Sequence, residues 1–438
     1  MRVLTAVLVL SAGVCAAQPA SVAFSVPGVD APELAPRGPH PVGVRTLDIV
    51  NPGQVDILAF DEAAGTAPSY DRPLRIEVWY PAVLSEDDEE HTVYKGVMPG
   101  RPEQRPPDVP AGFEFAGKAL RDAPPAQGEV LPLVVVSHGY PGSRTFLSYL
   151  TENLASKGYV VVAIDHTDSV FGETRAFTST LLNRSSDQLF TIEALEEVPF
   201  LRGLFDASRV AIVGYSMGGY GALASAGAPY SAQGGAARIV PGGYFEPLTR
   251  ERPRPEGLKA IVAIAPWGAQ PPHDNWDAEG LAKIEIPSLF IVGDHDDISG
   301  YDPGVKTAFD GALNSERCLL VYENARHNIG GNPPPPEALR TFRTREFFDE
   351  PVWRKDRITA VNQHFVTAFL DLHLKGMESR RPFLRLAVER SNDGTWPLAP
   401  GEDVGGAFSD GDTYWKGFQR RWALGLQLHC ADPAGSSQ

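Results

Sequence analysis

A serine stands at the centre of Gly214-Tyr215-Ser216-Met217-Gly218, a segment that matches the pattern G-x-S-x-G. The segment closes an apolar run at 209–216 and precedes a stretch of small residues, which predicts a strand, a tight turn and a helix. The glycines leave room for a turn in which side chains would clash, and the helix dipole favours negative charge beside the serine. This context indicates a nucleophilic Ser216. The alternative is a glycine-rich turn with an incidental serine.

A serine hydroxyl needs a base to take its proton at neutral pH, and His327 is the candidate. His327 follows an apolar run that begins at residue 317 and lies in a loop rich in Gly, Asn and Pro. Two later histidines, His364 and His373, fall on a predicted helix at 357–375, where packing explains them better. The position of His327 after the last predicted core strand therefore favours it as the base.

The acid that orients this base is expected after the apolar run at 286–294, because such hydrolases supply their residues in the order serine, acid, histidine. The loop contains Asp294, Asp296 and Asp297. The acid commonly lies two residues beyond the first acidic residue after the strand, which favours Asp296. The other two are then solvated charges or partners of the turn, and a calcium loop lacks the required spacing.

An oxyanion hole requires two backbone N–H donors directed at the developing negative charge. Met217, which follows the nucleophile, is predicted to supply one donor. Tyr140, in the segment His138-Gly139-Tyr140-Pro141-Gly142, is predicted to supply the other. The alternative for this segment is a plain turn.

Strands alternate with helices along the chain, and the strands are apolar throughout, which predicts an α/β fold with a mostly parallel central sheet, helices on both faces and inserted loops. The apolar runs lie at 131–139, 159–165, 209–216, 258–267, 286–294 and 317–327. Earlier strands are predicted at 41–50 and 72–82, and helices at 146–158, 187–198 and 357–375. Insertions are predicted at 97–129, 230–256 and 328–352.

Several short sequence motifs lie between about residues 130 and 330. They are His138-Gly139, Arg144-Thr145, the L-A-S-x-G run at 154–158, His166-x-Asp168 and G-Y-S-M-G-G. As a set they resemble the α/β-hydrolase superfamily, in particular platelet-activating-factor acetylhydrolases and dienelactone-hydrolase-like esterases. In this resemblance His166 and Asp168 brace the loop after their strand.

A second resemblance comes from Ala265-Pro266-Trp267, which together with Tyr140 and Met217 is similar to cutinase-like polyester hydrolases. It implies that Trp267 forms a substrate-binding wall beside the acyl group, with a buried core tryptophan as the alternative. Dienelactone hydrolases proper use a cysteine nucleophile, where this chain has Ser216. Animal acetylhydrolases carry their acid where this chain has Pro266-Trp267, which again favours Asp296.

These resemblances imply a serine carboxylic ester hydrolase that works through an acyl-enzyme and needs no cofactor or metal. Short-chain acyl esters and aliphatic polyesters are the expected substrates. The alternatives are a lipase or a phospholipid acetylhydrolase and, less favoured, a peptidase or a non-catalytic binding relative.

The chain has 438 residues and a net charge of −16, which argues against nucleic acid as a partner because phosphates would be repelled. Residues 1–17 have the layout of a signal peptide, predicting a secreted or periplasmic protein. Lipidation of Cys15 is the alternative, although Val14 stands where a small residue is expected. No segment is expected to cross a membrane. A flexible lead-in is predicted at 18–40, one catalytic domain at 41–430 and a tail at 431–438.

Two cysteines, Cys318 and Cys430, remain once the signal peptide is removed. An exported protein can pair them in a disulfide, and two unrelated thiols are the alternative.

Overall fold

The computed structural model of the chain describes residues 27–100, 103, 105–398, 401 and 411–435. The signal peptide predicted at 1–17, with Cys15, lies outside the described residues, as does the lead-in up to residue 26. No helix in the described part of the chain is long and apolar enough to cross a membrane.

Ten strands of the described chain form one sheet, and two more form a separate hairpin. The strands are β1 Val42–Val55, β2 Ser69–Pro81, β3 Thr92–Val97, β4 Gly112–Gly117, β5 Leu120–Arg121, β6 Leu131–Ser137, β7 Val160–Asp165, β8 Phe205–Tyr215, β9 Leu258–Ile264, β10 Ser288–Gly293, β11 Arg317–Tyr322 and β12 Leu426–Ala431. The large sheet has the order β12-β11-β10-β9-β8-β6-β7-β2-β1-β5. Strands β6 to β11 pair in parallel, whereas β2 and β12 join them in antiparallel register.

Helices cover both faces of this sheet. They are α1 Ser148–Ser156, α2 Phe177–Glu196, α3 Met217–Ser225, α4 Gly235–Ile239, α5 Ala278–Leu281, α6 Lys306–Gly311, α7 Phe342–Glu346 and α8 Lys355–Lys375. In β6, Val134 and Val136 belong to one apolar core with α1 and α8, while Leu133 and Val135 belong to the other core with α2 and α3. Successive strand residues point to opposite faces, so a strand covered on both sides must be apolar throughout. The predicted α/β fold is confirmed.

The structure differs from the sequence-based expectations at the edges of several elements. Helix α2 begins at Phe177, ten residues before the helix predicted at 187–198. The insertion predicted at 97–129 contains β4, which pairs with β3, and the short β5 at the sheet edge. Strand β12 reaches Ala431, one residue into the predicted tail. Cross-strand pairing is non-local, so a single segment does not reveal it.

The lead-in predicted as flexible is packed against the domain over residues 27–40. The backbone N–H of Leu34 donates to Nδ1 of His364 on α8 at 3.1 Å, and that of Gly38 donates to Ser156 Oγ at 2.9 Å. Leu34 and Ala35 are buried. The segment is ordered because it inserts apolar side chains and satisfies its own backbone donors between α1 and α8.

The predicted disulfide between Cys318 and Cys430 is present. The two residues lie directly opposite each other on the antiparallel strands β11 and β12. The bridge ties the end of the chain to the core sheet across 112 residues of sequence.

We expect Cys318→Ala with Cys430→Ala to lower the free energy of unfolding by about 2–4 kcal/mol, because the link restricts the unfolded chain. Guanidinium unfolding followed by circular dichroism measures the change, and the reduced wild type serves as control. A double variant as stable as the oxidised wild type would contradict this assignment, as would two titratable thiols in the denatured, unreduced mature protein.

Candidate active site

The turn that carries Ser216 is strained and permits little variation in its neighbours. Ser216 has φ +54° and ψ −114° directly before α3. A Cβ on Gly214 would lie 2.2 Å from the carbonyl oxygen of Gly218, and one on Gly218 would lie 1.9 Å from the carbonyl oxygen of Ser137. Only glycine fits at both positions, so the backbone forces the Ser216 hydroxyl away from the sheet.

Three predicted residues meet at the carboxyl edge of the sheet. His327 Nε2 lies 3.0 Å from Ser216 Oγ, and His327 Nδ1 lies 3.0 and 2.9 Å from the two carboxylate oxygens of Asp296. The residues follow β8, β10 and β11, and all three are buried. Backbone N–H groups of Ile298 and Ser299 also donate to Asp296. This chain of hydroxyl, imidazole and carboxylate can pass a proton away from Ser216.

The structure separates Asp296 from its two acidic neighbours. Asp294 accepts a hydrogen bond from the N–H of Asn324 at 2.6 Å, and Asp297 forms an ion pair with Arg326. The structure records no contact between either carboxylate and His327. In the described chain, no group of three or more His, Cys, Asp or Glu is arranged to hold a metal ion.

The two predicted oxyanion donors flank the nucleophile. Met217 is the first residue of α3, and Tyr140 lies in the loop after β6. That loop touches the nucleophile, because a Cβ on Gly139 would lie 3.1 Å from Ser216 Cβ. The assignment of the Tyr140 and Met217 amides as oxyanion donors stays a prediction.

Arg184, which the sequence analysis did not single out, holds this loop from behind. Its guanidinium donates to the carbonyl of His138 at 3.0 Å and to Ser169 Oγ at 2.8 Å, and it lies 3.5 Å from the carbonyl of Gly139. Because Arg184 holds the carbonyls of His138 and Gly139, it also orients the peptide groups that lead to Tyr140. Arg184, Asp187, Gln188 and Thr191 share one buried face of α2. In the sequence, these charged and polar residues have the spacing of one buried helix face. The predicted helix begins only at residue 187, however, and so leaves out Arg184.

A second serine–histidine–aspartate chain lies beneath the loop. His166 Nε2 lies 2.7 Å from Ser137 Oγ, and His166 Nδ1 lies 2.9 Å from Asp187, which also pairs with Arg72. All four side chains are buried, so the chain is closed to substrate. Asp168 accepts hydrogen bonds from Arg72 and Ser179. These contacts match the bracing that the resemblance implied for His166 and Asp168.

The pKa values of this network follow from burial and charge. Burial and the nearby Arg184 guanidinium lower the pKa of His166 to about 3. Burial opposes ionisation of Asp187, but Arg72 and His166 outweigh it and lower the Asp187 pKa to about 2. His166 is therefore a neutral imidazole beside an ionised carboxylate.

Two adjoining cavities open next to the nucleophile. The smaller, about 370 Å³, is lined by Ser216 and His327, and the larger measures about 680 Å³. They share Tyr140, Pro141, Arg343 and Phe347 as walls. Arg343 and Phe347 come from the insertion predicted at 328–352.

Trp267 does not line either cavity. It is buried, and its ring packs against Phe177 at 5.3 Å and His273 at 4.3 Å. The ring of Phe177 also contacts the ring of Tyr140 at 4.8 Å, so Phe177 lies between Tyr140 and Trp267. The expectation that Trp267 forms a substrate-binding wall stays a prediction; the earlier start of α2 places Phe177 between Trp267 and Tyr140. The alternative, a buried tryptophan, fits the structure, and the N–H of Trp267 donates to the Ser216 carbonyl at 3.1 Å.

Comparison with known families gives a match that covers half of the chain. A profile of the family described as PET hydrolase-like matches residues 116–334. Cutinase est1 of Thermobifida alba is 28% identical over 204 residues, covering 46% of this chain and 55% of that protein. The bis(hydroxyethyl) terephthalate hydrolase of Streptomyces coelicolor is 25% identical over 199 residues, covering 44% of this chain and 49% of that protein. The chain thus spans about half the length of these curated relatives.

A solved structure with a similar fold is a ferulic acid esterase from Streptomyces cinnamoneus. The TM-score is 0.51 at 24% identity, covering 77% of this chain and 91% of that one. This likeness supports the α/β-hydrolase fold. Together with the family match, it confirms the predicted superfamily and its cutinase-like features.

We expect Asp296→Asn to reduce kcat on the order of 10⁴-fold, because the imidazole loses the carboxylate that holds its productive tautomer. Asp294→Asn and Asp297→Asn are matched controls with the same chemical change in the same loop, and both should retain most activity. Steady-state hydrolysis of p-nitrophenyl acetate measures the effect. Equal losses in all three variants would contradict the assignment of Asp296.

We expect the free energy of unfolding to fall as the pH drops from 6.5 toward about 3, because the unfolded chain binds a proton that buried His166 does not. The contribution that neutral His166 makes to the free energy of unfolding is complete above pH 6.5, and it is lost as the pH falls toward the pKa of His166 in the folded protein. His166→Gln should flatten this decline by up to about 1.4 kcal/mol per pH unit. Urea unfolding across the window tests it, with the exposed His91→Gln as control. An unchanged slope in His166→Gln would contradict the assignment.

Proposed function

The chain belongs to the PET hydrolase-like family, and we propose that it is a serine carboxylic ester hydrolase acting through an acyl-enzyme. The observation that carries this proposal is the continuous hydrogen-bonded chain from Ser216 through His327 to Asp296. It opens into a cavity large enough for a small ester.

In the proposed reaction, Ser216 Oγ attacks the ester carbonyl carbon while His327 Nε2 takes the hydroxyl proton. Asp296 keeps the imidazole oriented through Nδ1 and stabilises its charged form. The amides of Tyr140 and Met217 stabilise the oxyanion. The C–O bond to the alcohol then breaks, and His327 returns its proton to the leaving oxygen. Water then gives a proton to His327 while its oxygen attacks the acyl carbon. The bond from that carbon to Ser216 Oγ breaks, the acid leaves, and His327 returns the proton to Oγ.

The proposed substrates are short-chain acyl esters and aliphatic polyesters. Relatives that match this chain bear the names cutinase and bis(hydroxyethyl) terephthalate hydrolase. The aromatic rings of Phe146, Phe347 and Tyr140 line the small cavity beside Ser216. A confined aromatic cleft favours a compact acyl group over a long alkyl chain.

We further propose that the protein is secreted or periplasmic, with 1–17 removed as a signal peptide and 41–430 forming a single catalytic domain. The disulfide between Cys318 and Cys430 supports an oxidising compartment. Export would bring the enzyme to polymeric substrates that do not enter cells.

We expect kcat/KM to be highest for p-nitrophenyl acetate or butyrate and to fall for octanoate and palmitate. Ser216→Ala should lose on the order of 10⁴-fold or more of kcat while keeping its circular dichroism spectrum. A fluorophosphonate probe should label the wild type at Ser216 and leave the variant unlabelled. A maximum at palmitate would contradict the short-chain proposal, whereas a folded Ser216→Ala with a tenth of wild-type kcat would contradict the mechanism.

A further inference from the structure

The larger of the two cavities beside the nucleophile is lined by positively charged residues. Its described lining includes Arg105, Arg175 and Arg343, and no carboxylate among the described residues lines it. The chain as a whole carries a net charge of −16. A basic cleft on an acidic protein concentrates anions locally and repels cations.

The three arginines come from three separate parts of the chain. Nε of Arg105 is buried and has no hydrogen-bond partner within the described residues. Arg175 is exposed, and its backbone is held in place because its N–H donates to Asp168 and its carbonyl accepts from Tyr140. Arg343, on α7, lines both cavities. A buried guanidinium N–H without an acceptor is costly, so Arg105 indicates a missing acceptor.

The smaller cavity differs in charge. Its acidic residues Asp297 and Glu346 both pair with Arg326, and Asp349 pairs with Arg345 at 3.0 Å. Glu350 also lines the smaller cavity, so carboxylates outnumber arginines in its described lining. The excess of arginine over carboxylate in the described lining therefore lies in the larger cavity.

The shared wall indicates which part of an ester enters the basic cleft. Tyr140 and Pro141 line both cavities, whereas Ser216 and His327 line only the smaller one. During the proposed reaction the leaving oxygen lies at His327 Nε2, and the carbonyl oxygen lies at the Tyr140 amide. We place the acyl group past Tyr140 in the larger cavity, because the leaving alcohol occupies the His327 side and Tyr140 lines both cavities. Phe171, Phe347 and three prolines give that cavity an apolar floor.

We propose that the basic cleft binds the free carboxylate of a monoester of a dicarboxylic acid, with the apolar spacer against Phe171 and Phe347. This inference rests on the proposed esterase function and names its substrate class. Ser216 attacks the single ester carbonyl, the alcohol leaves with the proton from His327, and water releases a dicarboxylate. Guanidinium groups suit this task because they bind carboxylates through paired N–H donors.

The kinetic test compares monomethyl terephthalate with its carboxamide analogue, which has the same shape but no charge. We expect kcat/KM to be about tenfold or more higher for the anion, and the difference to shrink as salt is added. A second pair, para-carboxyphenyl acetate and para-carbamoylphenyl acetate, moves the same groups to the leaving alcohol. No comparable preference for the anion is expected in that pair.

Arginine variants locate the effect. The triple variant Arg105→Gln, Arg175→Gln and Arg343→Gln should bring the ratio of anion to carboxamide turnover to about one. The single variants should lower it in part and cover the case in which the triple variant does not fold. Arg202→Gln removes one exposed arginine outside both cavities and should leave the ratio unchanged.

Calorimetric titration of Ser216→Ala with monomethyl terephthalate tests binding apart from catalysis. We expect binding that is tighter than for the carboxamide and that the arginine variants abolish. Equal turnover of the two wild-type substrates, or a preference that survives in the triple variant, would overturn the basic cleft. A preference confined to the phenyl acetate pair would overturn its placement on the acyl side.

Loss of all ester hydrolysis would overturn the proposed function, and the titration would then decide the anion site alone. Hydrolysis of p-nitrophenyl acetate with no hydrolysis of either terephthalate ester would leave the esterase standing and overturn the substrate class.

Discussion

The close approach of α3 to the end of β6 is the constraint on which the site depends. Gly218 packs so tightly on the Ser137 carbonyl that any side chain would overlap it. This contact forces Ser216 into a left-handed backbone conformation and brings Met217 beside the loop that carries Tyr140. The strain is held by the parallel sheet, whose strands β6 and β8 pair over their whole buried length. A nucleophile fixed in this way needs little reorganisation when charge develops.

Ser137 also links that contact to the polar network behind the site. Its hydroxyl meets His166, which meets Asp187, and Asp187 in turn is paired with Arg72. Charges buried this deeply are unfavourable unless each has partners, so the network has few alternative arrangements. It therefore positions the oxyanion loop from the side opposite the substrate. The chain resembles the catalytic one in residue types, but burial restricts it to support.

The two cavities are lined partly by residues that lie outside the central sheet. Ser216, Asp296 and His327 follow core strands, whereas the basic lining comes from Arg105, from Arg175 before α2 and from Arg343 on α7. Loops of this kind vary without disturbing the sheet. Charge in the cleft can thus differ in sign from the charge of the whole chain.

Local pattern alone was enough to predict the serine, aspartate and histidine of the candidate site. Ser216, Asp296 and His327 each follow an apolar run, and parallel strands bring their carboxyl ends to one edge. The turn could be predicted from the glycines around Ser216, because its steric requirement restricts the residue types at positions close in sequence. Cys318 and Cys430 were candidates for a bridge, but only the register of β11 with β12 decided that they meet.

Tertiary packing decided the rest. Trp267 was expected as a substrate-binding wall with a core position as the alternative, and only the tertiary structure showed Phe177 between it and Tyr140. Arg184 and Asp187 had no visible role until α2 was placed against the oxyanion loop. The three arginines of the cleft lie far apart in sequence, and each alone reads as an ordinary surface charge. Backbone periodicity and turn sterics act over a few residues and can be read from sequence, whereas side-chain neighbours across loops depend on contacts distant along the chain.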